Sequence, residues 1–145
     1  MAIKVLGIHH HAIRIGANDE PSDAVHDFYA NVLGLGRDEA RPSFPGVPGW
    51  WMNAGDGGQI HLIGGASPSP FAKGPGQDPA APHVALAVED IVAARAELEQ
   101  LGVPHYASSA GDTQQIFLHD PAGNMIELHQ FDKCRCTAAN RKAPP

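Results

Sequence analysis

The chain has 145 residues, 43% of them hydrophobic, and a formal net charge of −6 at pH 7. That length fits one domain, or two small halves sharing a core. The acidic balance excludes a broad nucleic-acid surface and gives no basic patch for a membrane. With no run of about 18 apolar residues and no leader-like apolar segment, a cytoplasmic protein is expected.

Val5–Ile15 reads as a strand that places Ile8, His10, Ala12 and Arg14 on one face and His9, His11, Ile13 and Ile15 on the other. A helix is expected from about Ser22 to Leu33, with Val25, Phe28, Tyr29, Val32 and Leu33 as its inward stripe and Gly34 as its stop. After a Pro-rich loop, Gly49–Asn53 and Gln59–Ile63 read as a hairpin, with Gln59, His61 and Ile63 sharing a face. Residues 64–82 are rich in Gly, Pro, Ala and Ser and read as a linker or flap. A strand at 82–88 then leads into a helix over 91–101, capped by Asp90 and stopped by Gly102. Strands are expected over 103–106 and 114–119. The turn Asp120-Pro121-Ala122-Gly123-Asn124 and the strand Met125–His129 close the unit.

Residues 134–145 read as a C-terminal tail that follows a single domain over 1–133. Cys134 and Cys136 make neither a disulfide framework nor a four-ligand zinc site, and they are taken as an accessory pair in that loose tail.

The two halves repeat. Residues 5–65 and 82–131 each read β-α-β-β-β, with a His in the first strand and a donor in the middle of the last. The fold class is therefore α+β: two βαβββ modules whose sheets pair into an open cup, with helices on the convex face. By alternation, His10, His61, His83 and Glu127 all face the concave side. A lone buried carboxylate needs a positive partner, and three imidazoles plus a carboxylate suit a divalent transition metal with open positions. Trp51 is expected to wall the cup, Arg14 and Gln115 to hold a polar substrate, and His129 to line the rim.

These segments resemble the vicinal oxygen chelate superfamily of glyoxalases, bleomycin resistance proteins and dioxygenases. The resemblance spans about Gly7 to Phe131. It is carried by His10-x-Ala12-Ile13-x-Ile15, by Phe28-Tyr29-x-x-Val32-Leu33-Gly34-Leu35, by His83-Val84-Ala85-Leu86-x-Val88, and by Phe117-Leu118-x-Asp120-Pro121-x-Gly123-Asn124-x-Ile126-Glu127-Leu128. It implies metal ligands at His10, His61, His83 and Glu127, the last also acting as catalytic base. The implied cofactor is Ni, Zn, Mn or Fe. Glyoxalase I commonly has Glu at the position of His61, and methylmalonyl-CoA epimerase has Gln.

The expected activity is a glyoxalase-like lyase or isomerase acting on a small oxygen-chelating substrate. An Fe(II) ring-cleaving dioxygenase and a natural-product-binding resistance protein are the alternatives. The expected assembly is a homodimer.

Overall fold

A computed structural model of the chain describes residues 2–110 and 113–141. One eight-stranded mixed sheet organises it: β1 (Val5–Arg14), β2 (Gly36–Arg37), β3 (Gly49–Ala54), β4 (Gly58–Ile63), β5 (His83–Val88), β6 (His105–Ala110), β7 (Thr113–His119) and β8 (Met125–Gln130). Their order across the sheet is β2-β3-β4-β1-β5-β8-β7-β6. The two modules meet where β1 runs antiparallel to β5. In each module the first strand pairs parallel with the last, β1 with β4 and β5 with β8. The α+β class and the open two-module sheet are as expected, although the strand expected over 103–106 lies at His105–Ala110.

The convex face of the second half carries α2 (Ile91–Gln100). Asp90 caps it by accepting the N–H groups of Val92 and Ala93 at 2.9 and 3.0 Å. Ile91, Ala94 and Leu98 pack on Val88, Ile116 and Leu128. Each of the Ile, Leu and Val side chains contributes on the order of 1.5–3 kcal/mol when fully buried. Gly102, at φ +67°, stops the helix in a left-handed turn.

The first half departs from its expected helix. Ser22 does cap α1 (Asp23–Asp27), but the chain then widens into a π-helical stretch over Phe28–Val32. None of the expected inward stripe is buried, and Phe28, Val32 and Leu33 are all at least half exposed. The physical reason is the pitch. A stripe at i, i+3, i+4, i+7 holds together only at 3.6 residues per turn, whereas here the Leu33 N–H bonds five residues back to the Phe28 carbonyl.

The concave side of the first half is covered by loops instead. Val47 and Ala80 pack on Ala12 and Ile63, with Phe44 against them. The 64–82 segment is tied down by Asp78, which accepts the Ser69 N–H and hydroxyl and the Ala80 N–H at 2.6–3.0 Å.

The tail is not loose either. Cys134 and Cys136 are 6% and 0% exposed, their sulfurs joined as a disulfide, and a short helix, α3 (Ala138–Arg141), follows. Among the described residues, no helix is long and apolar enough to cross a membrane.

Candidate metal centre

Strand register builds the centre. Ala12 of β1 lies opposite His61 on one side and His83 on the other. One step along, His10 lies opposite Gln59 and Ala85, and Ala85 opposite Glu127. The centre therefore sits on two adjacent cross-sheet rows. Ala12 and Ala85 are fully buried, and their small side chains leave room for the large ones to meet over them.

His10, His83 and Glu127 converge. Their Nε2 atoms lie 3.2 and 2.9 Å from Glu127 Oε2 and 3.1 Å from each other. All three are at most 6% exposed. Outer contacts orient both rings. The Nδ1 of His83 lies 2.6 Å from the Ala81 carbonyl, to which it donates. The Nδ1 of His10 lies 3.2 Å from the sulfur of Cys136. With the protons on Nδ1, both Nε2 lone pairs point at the centre, as metal-ligating imidazoles require.

The electrostatics fit a divalent cation. Burial pushes the Glu127 carboxyl up, but His10 and His83 outweigh it and hold the group well below the carboxylate range. Burial lowers His10 against the pull of Glu127. Burial also acts to lower His83, yet its hydrogen bond to Glu127 prevails and raises it. Glu127 Oε1 is buried with no hydrogen-bond partner. An orphaned carboxylate oxygen beside two imidazole lone pairs suits a divalent ion.

His61, expected as a fourth ligand, groups with His10 and Cys136, their donor atoms within 4.8 Å of one another, rather than with His83 and Glu127. Its ring stacks between His10 at 3.8 Å and Trp51 at 4.4 Å. Its Nε2 lies 2.9 Å from Gln59 Oε1. Gln59 in turn donates to Asp38 and Asn53, and Asp38 accepts two bonds from Arg135 at 2.8 and 3.1 Å. Burial, followed by the charge of His10, holds His61 well below the imidazole range.

A cavity of about 430 Å³ opens on the triad. Trp51, Gln115 and His129, all expected at the site, line it. Arg14 does not; its guanidinium donates to the backbone carbonyls of Gly64 and Gly65. Arg41, Lys133 and Cys134 line the cavity without having been anticipated. Arg41 sits in a Pro-rich loop, and Lys133 and Cys134 reach the wall only because the tail folds back, so no periodic pattern marked them. A larger cleft of about 1000 Å³ runs past His11, Gly76 and His119 but shares only His83 with the triad. The smaller cavity, which all three triad residues line, is the one placed for chemistry.

Two βαβββ modules around a buried His-His-Glu cluster define a class of cup-shaped proteins. The chain belongs to the Glyoxalase/Bleomycin resistance protein/Dioxygenase superfamily, whose family model matches residues 7–128. It is 29% identical over 118 residues to Glyoxylase I 4 of Arabidopsis thaliana, covering 79% of this chain and 64% of that protein. The chain thus spans somewhat under two thirds of that relative's length. Its fold resembles methylmalonyl-CoA epimerase from Mycobacterium tuberculosis, with TM-score 0.66, 24% identity, and 90% and 91% of the two chains covered. A hypothetical protein from Bacillus halodurans is similar, with TM-score 0.63, 25% identity, and 85% and 92% covered.

Proposed function

We propose that the chain is a divalent-metal-dependent lyase or isomerase of the glyoxalase type, acting on a small anionic substrate with adjacent oxygens. The observation that carries this reading is the buried triad of His10, His83 and Glu127 with the unpartnered Oε1 of Glu127. These three residues would hold the ion. The ion would supply a Lewis acid that polarises a substrate carbonyl.

The chain's own residues supply the rest. A carboxylate oxygen of Glu127 is the base placed to take and return the proton at the carbon beside that carbonyl. Arg41 and Lys133, on the cavity wall, attract a carboxylate despite the acidic whole. Trp51 and Phe44 wall the cavity, and the 64–82 segment roofs it. His61 is held by Gln59 and acts on the ring position of His10, on which it stacks. His61→Ala is therefore expected to weaken metal binding by about 10–100-fold, in the range of outer-shell partners, without abolishing it.

A second reading, an Fe(II) ring-cleaving dioxygenase, is favoured by one feature: two imidazoles and one carboxylate are the donor set of non-haem Fe(II) oxygenases. A screen separates the two. Turnover of glutathione hemithioacetals or of α-acyl thioesters supports the first reading. Oxygen uptake with catechols, present only in the iron-loaded protein, selects the second. A protein that binds no metal at all overturns both.

A homodimer completes the proposal. Val5, Leu6 and Ile8 of β1 and Phe28, Val32 and Leu33 after α1 are large apolar side chains left 47–67% exposed, more than a small monomer ordinarily leaves open. Light scattering should give twice the chain mass; a monomer at all concentrations would contradict this.

A further inference from the structure

We propose that the reduced chain binds a second, thiophilic divalent cation through His9, His129 and Cys134, beside but separate from the His10–His83–Glu127 triad. The proposal does not depend on the reading of the triad or on its activity.

A backbone irregularity creates the cluster. Between Ile8 and His10 the register of β1 against β5 shifts, so two residues on β1 face one step on β5. A bulge of this kind re-aims a side chain. His9, which alternation alone would turn outward, is instead 1% exposed. Its ring meets that of His129 edge-on, with centroids 5.5 Å apart. The folded-back tail brings Cys134 to the same place. One donor atom from each of the three residues lies within 4.8 Å of the other two. Donors on one ion at about 2.0–2.3 Å each fall inside that separation.

Three further observations point to a ligand. First, both ring nitrogens of His9 are buried without a hydrogen bond of normal geometry, although the Phe131 backbone approaches the ring. A native protein rarely leaves such a group unsatisfied. Second, His129 Nδ1 lies 3.1 Å from the Gln130 carbonyl; with its proton there, Nε2 keeps a free lone pair. Third, the Cys136 N–H donates to Cys134 Sγ at 3.3 Å, which fixes that sulfur beside the two rings. Two imidazoles and a thiolate are the donor set of zinc and other thiophilic ions. Cys136, whose sulfur is bonded to that of Cys134, groups instead with His10 and His61.

The disulfide closes the site. Opening it takes two electrons and two protons from a dithiol reductant, which leaves as its own disulfide. Two thiols result, and that of Cys134 releases its proton to solvent when the ion binds. The same residues then hold a cation when reduced and none when oxidised.

Cobalt(II) is the probe. The full chain, reduced with a phosphine and stripped of metal, is titrated while a thiolate-to-cobalt charge-transfer band is followed. The expected result is two equivalents per chain and a band that belongs to one of them. Cys134→Ser should lose that equivalent and the band while keeping the other. Glu127→Gln should keep the band. A single equivalent with no thiolate band overturns the proposal, as does a band undiminished in Cys134→Ser. Should the variant fail to fold, the unmutated reduced chain still decides. Zinc should slow alkylation of Cys134 by about tenfold or more, and an unchanged rate overturns the proposal.

Discussion

The two halves share one sequence plan and are built differently. The second half has a capped ten-residue helix seated on its sheet, an aliphatic core, and two of the three triad residues, His83 and Glu127. The first half has a five-residue helix that runs into a π-helical stretch and buries nothing. Its interior holds a polar relay from Arg135 through Asp38 and Gln59 to His61. The second half thus provides the rigid wall. The first half contributes His10, Trp51 and Phe44 to the cavity and leaves apolar side chains exposed. A site built on rigid elements holds its geometry better than one built on loops, so the triad leans toward the second half.

Core truncation should break the symmetry most strongly. Leu98→Ala in α2 is expected to cost about 2–5 kcal/mol, read from chemical unfolding. Next comes the relay: Asp38→Asn removes the charge and one of the two oxygens that accept from Arg135 and Gln59, with an expected loss of about 1–3 kcal/mol and faster proteolysis of the segment after Lys133. Burial alone would raise the Asp38 carboxyl, but the bonds from Arg135, Gln59 and Ala40 hold it low, so the charged acceptor is the one present at neutral pH.

Asp78 gives a smaller, pH-dependent effect. Burial acts to raise its carboxyl, and the bonds from Ser69 and Ala80 overcome this and lower it below the ordinary 3.8. A carboxyl lowered on folding stabilises the native state fully above that ordinary value. The contribution fades as pH falls through the lowered value. Asp78→Asn should flatten this acid limb of the stability curve while leaving the basic side unchanged. The smallest intrinsic effect belongs to the first helix. Val32→Asp should change the unfolding free energy of the dilute chain by within about 0.5 kcal/mol, yet lower the mass seen by light scattering at high concentration.

Much of this was legible in the sequence, for physical reasons. Strand side chains alternate with period two, so His10, His61, His83 and Glu127 could be placed on one face, and all four are buried. The cap at Asp90 and the stop at Gly102 are local chemistry and could be read locally. Three things could not. The bulge at Ile8–His10 shifts the period by one, which brought in His9 unannounced. The π-helical stretch changes the helical pitch and voids the stripe of Phe28 and Val32. Cys136 of the tail meets His10 across 126 positions of chain, a tertiary contact with no periodic mark. The same lack of pattern hid Asp38 and Gln59, whose roles are visible only as partners of Arg135 and His61. Arg14 had a strand position facing the cup but spends its guanidinium on the Gly64–Gly65 backbone.

The central claim is that the buried carboxylate of Glu127 anchors a divalent ion together with His10 and His83. Elemental analysis of the unmutated protein and of Glu127→Gln, purified side by side, tests it most directly, because the substitution keeps the shape while removing the charge and one acceptor oxygen. The account predicts that the variant carries one equivalent of divalent metal per chain fewer than the unmutated protein while remaining folded. Equal metal content in the two would contradict it.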